Sequence, residues 1–213
     1  MKFKVITAVL AVGLCVVPLS TRDSGAQATS ASDAVKTQGK AASGGSERSG
    51  FKDVLDTPAR MSPLASRSLL NGVASAGKRV VCVGLRGHIV YSDDGGKTWT
   101  QAKVPVSVDL TSVYFASAAK GWAVGHDGVV LYSSDGGGSW VKQLDGKDVC
   151  RIMEKYYKGR ALPDWLDSDA KAKLAEDIKF IVDQGPSNPF LDVWFENETT
   201  GFVVGAFNLI LRT

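Results

Sequence analysis

Ser92-Asp93-Asp94-Gly95-Gly96-Lys97-Thr98-Trp99 returns 41 residues later as Ser133-Ser134-Asp135-Gly136-Gly137-Gly138-Ser139-Trp140. Both octets fit Ser-x-Asp-x-Gly-x-Thr/Ser-Trp. The residue types suit a tight hairpin. Ser92, Asp94, Ser133 and Asp135 can bond nearby backbone groups through their side chains. Gly96 and Gly137 tolerate a positive φ where the chain reverses. Trp99 and Trp140 can lay a large apolar face over the turn. These eight residues are therefore read as structural.

The period extends outward from the two turns. Val81-Cys82-Val83-Gly84-Leu85-Arg86-Gly87-His88-Ile89-Val90-Tyr91-Ser92 aligns with Trp122-Ala123-Val124-Gly125-His126-Asp127-Gly128-Val129-Val130-Leu131-Tyr132-Ser133 at the same offset of 41. Near the C-terminus, Val193-Trp194-Phe195 and Gly201-Phe202-Val203-Val204-Gly205 repeat Val113-Tyr114-Phe115 and Gly121-Trp122-Ala123-Val124-Gly125 at an offset of 80. In the second copy the expected strands are 110–115, 121–125, 129–132 and 139–143. Four short strands in about 40 residues make a propeller blade. The expected fold is all-β: a partial β-propeller, of the WD40/YVTN-like repeat kind, with about two and a half four-stranded blades of period 41. Thr213 stands where Ser92 and Ser133 open their turns. The reading expects a third turn to begin there, an unpaired outer edge beside it, and a sequence that is incomplete.

The longer second offset is accounted for by an insertion at 144–187. Val149, Ile152, Met153, Tyr156 and Tyr157 recur at helical spacing, as do Ala170, Leu174, Ile178, Ile181 and Val182. Two amphipathic helices are expected, the second capped by Ser168 and stopped by Gly185-Pro186. Their apolar faces are expected to pack on the blades or on each other.

The repeated octet is the Asp-box, or BNR repeat. Together with Val83-Gly84-Leu85-Arg86-Gly87-His88-Ile89, Gly121-Trp122-Ala123-Val124-Gly125-His126-Asp127-Gly128 and Phe190-Leu191-Asp192-Val193-Trp194-Phe195, it makes residues 69–213 resemble the exported propellers related to the photosystem II stability and assembly factor. That resemblance implies a seven-bladed propeller, a role in photosynthesis or a related assembly process, and binding to membrane-protein assembly intermediates. It implies a scaffold and not chemistry, with no cofactor.

The N-terminus sets the expected compartment. Lys2 and Lys4 precede an uncharged, largely apolar stretch at 5–19, and Ala26-Gln27-Ala28 offers a small-x-small cleavage site. Residues 1–28 read as a signal peptide, so the protein is expected to be exported to the periplasm or beyond the cell. Residues 29–50 are rich in Ser, Ala, Gly and charges and read as a disordered linker. The remaining 51–213 form the propeller fragment, with Phe51, Val54 and Leu55 as a short edge strand. Removal of 1–28 takes Lys2, Lys4, Arg22 and Asp23 from a chain of 25 basic and 22 acidic residues, leaving it nearly neutral. Nothing here is basic enough to call for a nucleic-acid partner. Cys82 lies in the apolar run Val80-Val81-Cys82-Val83 and reads as a buried free thiol and not as the partner of Cys150.

The same restraint applies to chemistry. Sialidases carry Asp-boxes, so a sialidase-like glycoside hydrolase is the alternative function. That chemistry needs two carboxylates and, for sialic acids, an arginine cluster. Asp94 and Asp135 are turn residues, while Arg86 and Arg151 stand alone in the sequence. His88 and His126 are the only histidines, and neither lies in a metal-ligand spacing. Gly136-Gly137-Gly138 lacks the Lys-Ser/Thr of a phosphate loop. No catalytic, metal or cofactor residue is assigned. The expected partner is a protein, with a membrane-protein complex as the implied class. Arg86, His126 and Asp127, in equivalent loops between the second and third strands of successive repeats, are the candidate partner-binding residues.

Overall fold

Alternating apolar and polar residues between turn signals place one face of each short strand in a core. The computed structural model describes residues 4–5, 52–158, 166–184, 187–207 and 209–213. Met1–Ala8 and Lys52–Thr213 make one unit; a second, Val9–Phe51, lies outside the described residues. The strands are β1 (Lys4–Val5), β2 (Leu70–Ala76), β3 (Arg79–Gly84), β4 (Ile89–Ser92), β5 (Thr100–Gln101), β6 (Leu110–Phe115), β7 (Gly121–Gly125), β8 (Val130–Ser133), β9 (Val141–Leu144), β10 (Phe190–Phe195), β11 (Gly201–Gly205) and β12 (Ile210–Arg212). They form three antiparallel four-stranded sheets, in the orders β2-β3-β4-β5, β6-β7-β8-β9 and β1-β12-β11-β10.

The register repeats from sheet to sheet. Leu70 opposes Gly84, Leu110 opposes Gly125 and Phe190 opposes Gly205, each followed by a one-residue bulge. The bulge residues stitch neighbours together: Asn71 Nδ2 donates to the Leu110 carbonyl at 2.8 Å, and Thr111 Oγ1 to that of Phe190 at 2.8 Å. Apolar side chains close the same seams. Val81, Val83 and Ile89 of the first sheet share a core with Leu110, Val113, Ala123, Leu131 and Trp140 of the second. Trp122, Val124 and Val130 share another with Phe190, Val193, Phe195, Val203 and Leu211 of the third. Each sheet thus has a forward face toward the next repeat and a rear face toward the previous one.

Four expectations change, three of them in or beside the first and third sheets. The third sheet is not a half blade, because β1 pairs with β12 through Lys4↔Arg212 and Val5↔Leu211. A strand edge with free N–H and C=O groups pairs with an extended segment that reaches it. This strand falls within the expected signal peptide; the rest of residues 1–28, and the expected linker 29–50, lie outside the described residues. Next, Val54–Asp56 is a 3-10 turn and not an edge strand. The Asp53 carboxylate accepts from Leu55 N at 3.0 Å, and Asp53 O accepts from Asp56 N, which curls the chain. Phe51 lies outside the described residues. Finally, Cys82 is half-buried, because it sits on the rear face of the first sheet; it and Cys150 are both free thiols. Burial raises the pKa of each.

The insertion contains α1 (Gly146–Tyr157) and α2 (Ser168–Gln184). A reciprocal capping box starts α1, in which Asp145 accepts from Lys147 N and Asp148 N while the Asp148 carboxylate accepts from Asp145 N. Val149 and Met153 bury themselves in the core between the second and third sheets, flanked by Ile152, Tyr156 and Tyr157. The cap of α2 is Asp167, whose Oδ1 accepts from Ala170 N at 2.7 Å, and not the expected Ser168. None of its described side chains is buried. No helix among the described residues is long and apolar enough to cross a membrane.

Candidate functional site

Each repeat links its second and third strands through the same three-bond loop. In the first, Leu85 N donates to Leu69 O (3.1 Å), His88 N to Leu85 O (3.0 Å) and Gly84 N to His88 O (2.9 Å). In the second, His126 N donates to Asp109 O (2.9 Å), Val129 N to His126 O (3.2 Å) and Gly125 N to Val129 O (3.2 Å). In the third, Ala206 N donates to Pro189 O (3.0 Å), Leu209 N to Ala206 O (3.2 Å) and Gly205 N to Leu209 O (2.8 Å). These three backbone bonds in each loop tie it to its neighbouring strands.

The central loop residue is left-handed in every repeat: Arg86 at φ 56°, Asp127 at φ 54° and Phe207 at φ 56°. Such a conformation is uncommon for a residue with a side chain and is costly for a bulky one. Three equivalent positions thus present a cation, an anion and an aromatic ring on successive blades. Arg86 and His126 are exposed and Asp127 is half-buried. Phe207 is the member the sequence reading missed. The offset of 80 from Asp127 could have found it, since Ala206-Phe207-Asn208 replaces His126-Asp127-Gly128.

Other elements surround the loops. Asp109 Oδ1 accepts from Arg86 N at 2.7 Å. The start of α1 lies against the second loop, where a Cβ on Gly128 would come within 2.7 Å of Gly146 Cα. Lys147 Nζ reaches Asp53 Oδ2 at 2.6 Å, and this cation holds the Asp53 carboxyl below its usual range. Burial raises the pKa of Asp127; the charges of Asp53 and Asp109 push the same way, while His126 opposes them. Phe207 meets Phe180 of α2 edge to face at 5.5 Å. The surface is thus charged over the first two sheets and apolar over the third.

The Asp-boxes lie at the other end of the strands. Ser92 Oγ donates to Asp94 Oδ1 at 2.8 Å and accepts from Gly96 N at 2.8 Å. Asp94 Oδ1 accepts from Lys97 N and Thr98 N, each at 2.9 Å, and its Oδ2 from Thr98 Oγ1 at 2.6 Å. The Thr98 hydroxyl and N–H hold the Asp94 carboxyl at about 2. The second box repeats the pattern: Ser133 Oγ accepts from Gly137 N at 2.9 Å, and Asp135 accepts from Ser139 N at 3.0 Å and Ser139 Oγ at 2.6 Å. Burial opposes ionisation of Asp135, but the Ser139 and Ser133 hydrogen bonds outweigh it and lower its pKa. Gly96 and Gly137 turn at φ 89° and 88°.

The indoles close the boxes by donating to Gly96 O at 3.1 Å (Trp99) and Gly137 O at 3.0 Å (Trp140). Trp140 is buried against Phe115, with ring centroids 5.9 Å apart. Trp99 is 36% exposed and borders a groove of about 400 Å³ lined by Met61, Pro63, Val90 and Gln101. Among the described residues, no group of three or more His, Cys, Asp or Glu could hold a metal ion.

Residues 56–151 match the family described as "Photosynthesis system II assembly factor YCF48". This stretch includes both Asp-boxes and the first two sheets. Over it the chain resembles the BNR repeats of that family. Among solved structures, the chain is similar to "YCF48 bound to D1 peptide", with 18% identity, a TM-score of 0.41 and coverage of 68% of this chain and 36% of that one. It is similar to YCF48 from Cyanidioschyzon merolae, with 20% identity, a TM-score of 0.43 and coverage of 68% and 34%. A third similar structure is an ancestral GH74 enzyme, with 14% identity, a TM-score of 0.37 and coverage of 64% and 16%. The chain spans about a third of the length of the two YCF48 structures. No curated protein matches it.

Proposed function

We propose that this chain is an exported, non-catalytic scaffold that binds a protein partner during assembly or stabilisation of a membrane or envelope complex. The observation that carries this reading is the match of residues 56–151 to an assembly-factor family. The strand-linking loops supply a suitable contact surface. Their backbone is fixed by neighbouring strands, and their central side chains differ in charge and polarity from repeat to repeat. A partner would meet Arg86 first, then His126 and Asp127, and then the ring of Phe207. The sialidase-like alternative draws no support from Asp94 and Asp135, whose oxygens are engaged in their own turns.

Site-specific photo-crosslinking in the producing cell tests this. A crosslinker at position 86 or 127 should trap one membrane or envelope protein. The same group at Asp93, in the turn at the opposite end of the strands, should not. Equal labelling from all three positions, or none from 86 and 127, would reject these loops as the contact surface.

A further inference from the structure

Residues 53–59 lie along the link between β5 and β6, held there by few contacts. Val54 O accepts from Ser107 N at 2.9 Å, and Ala59 N donates to Val104 O at 3.0 Å. Leu55 and Ala59 join the core cluster that contains Val104, Val106 and Ile89. Asp53, Val54, Asp56 and Pro58 are exposed. Two lysines clamp the segment by its charges. Lys147 Nζ, at the start of α1, meets Asp53 Oδ2 at 2.6 Å. Lys142 Nζ, on β9, donates to Leu55 O and to Asp56 Oδ1, each at 2.9 Å, and lies 3.1 Å from Asp145 Oδ2.

Both ends of the segment border the candidate contact surface. Ala59 lies beside the first loop, where a Cβ on Gly87 would come within 3.2 Å of Ala59 Cβ. Asp53 is bound to α1, whose start abuts the second loop, and its charge adds to those acting on Asp127. Beyond Ala59 the chain is gripped separately: Gln101 Nε2 donates to Arg60 O at 3.0 Å, and Gln101 Oε1 accepts from Ser62 N at 2.8 Å. Release of 53–59 can therefore stop at Arg60 and leave the first sheet in place.

The same forces hold a short peptide supplied by another molecule: backbone bonds along an exposed stretch, a pocket for one side chain and complementary charge. Here the ion pairs face solvent and add little. Leu55 is the one large side chain that anchors the segment. Segments with so few buried contacts open locally, ahead of the fold as a whole.

We propose that residues 53–59 are a displaceable strap, and that the protein partner of the scaffold reading above, on which this rests, replaces it with its own short segment of apolar side chains between two carboxylates. Such a segment would fill the Leu55 pocket and take over Lys147 and Lys142. The strap is then an autoinhibitory contact. It covers part of the surface between the Arg86 and Asp127 loops until a segment of the same chemistry takes its place.

Two measurements on the full 213-residue chain test the strap without any partner. They stand or fall independently of the photo-crosslinking, which reads the loops. The first is native-state hydrogen exchange of the wild type by NMR. Ala59 N and Ser107 N should exchange through a local opening that responds weakly to denaturant. Ala102 N, which donates to Ile89 O within the first sheet, should exchange later. Exchange of all three only on global unfolding would overturn the proposal.

The second is fluorescence anisotropy with a labelled synthetic peptide of residues 52–59 as the probe. The attached strap competes at high effective concentration, so the wild type should bind the peptide weakly. Asp53→Lys combined with Asp56→Lys changes two exposed positions and should tighten peptide binding by at least about tenfold, because the strap no longer fits its lysines. Adding Lys147→Glu restores the first ion pair with its signs exchanged and should remove the gain. Circular dichroism checks that each variant is folded. No gain in the folded double variant would sink the strap, as would an equal gain for a peptide of the same composition in scrambled order.

Discussion

The Trp122 and Phe195 rings lie nearly parallel across the seam between the second and third sheets, with centroids 3.6 Å apart and planes 11° from parallel. Both are almost fully buried, and the Trp122 Nε1–H has no hydrogen-bond partner. Phe195→Ala should therefore destabilise the chain by about 3–5 kcal/mol, as cavity-forming losses of a buried ring do. Trp122→Phe should cost much less, because removing the orphan donor recovers about 1–3 kcal/mol of desolvation. Chemical denaturation of the two variants checks the order.

The two Asp-boxes should differ in their contribution although their hydrogen bonds agree. Asp135→Ala should cost about 1–3 kcal/mol, because it strips the Ser139 and Ser133 partners in a turn whose Trp140 is buried. Asp94→Ala should lower the melting temperature less, since its turn and Trp99 are exposed to water that can replace the lost bonds. Paired thermal melts would read this, and a larger effect at Asp94 would contradict it.

Asp94 also predicts an acid-sensitive component of stability. Its folded pKa is lowered from 3.8 to about 2. A depressed carboxyl contributes in full above the unfolded value, and the contribution is lost as pH falls through the folded value. The loss should thus fall between about pH 4 and pH 2. Asp94→Asn should flatten the melting temperature across that window and leave its slope near neutrality unchanged.

Asp127 should behave with the opposite sign. Burial raises its pKa, so its contribution to folding is greatest when it is protonated and declines as pH rises through the raised value. Asp127→Asn should therefore be more stable than the parent at neutral pH and lose that advantage in acid. Asp127→Val should be destabilised at every pH, because a β-branched residue tolerates φ 54° poorly. Differential scanning calorimetry from acid to neutral pH would separate the two effects.

The two inserted helices should respond unequally to truncation. Met153→Ala in α1 should cost about 2–5 kcal/mol, since its side chain lies in the core between the second and third sheets. Phe180→Ser in α2 should stay within about 0.5 kcal/mol, as befits a partly exposed contact. Hydrogen exchange should protect α1 amides more strongly than those of α2.

The repeat was legible in the sequence because its causes are local. A Ser-x-Asp-x-Gly turn is satisfied by groups within four residues of one another, so Ser92 and Asp94, or Ser133 and Asp135, declare the hairpin wherever it occurs. The same holds for alternation along Leu110–Phe115 and for helical spacing around Val149 and Met153. Seam contacts have no such local signature. That Phe195 stacks on Trp122, that Lys147 reaches Asp53, and that Lys4–Val5 pairs beside Ile210–Arg212 depend on residues far apart in the chain, whose meeting is set by how the sheets pack. The cap of α2 shows the same division at short range: Asp167 and Ser168 are both capable caps, and only the backbone path selects Asp167. Sequence offsets placed Arg86 and Asp127 at equivalent loop positions. The left-handed backbone they share with Phe207, and the burial that raises the pKa of Asp127, were decided by the sheets and by α1, which fix the loop and exclude water from one side of it.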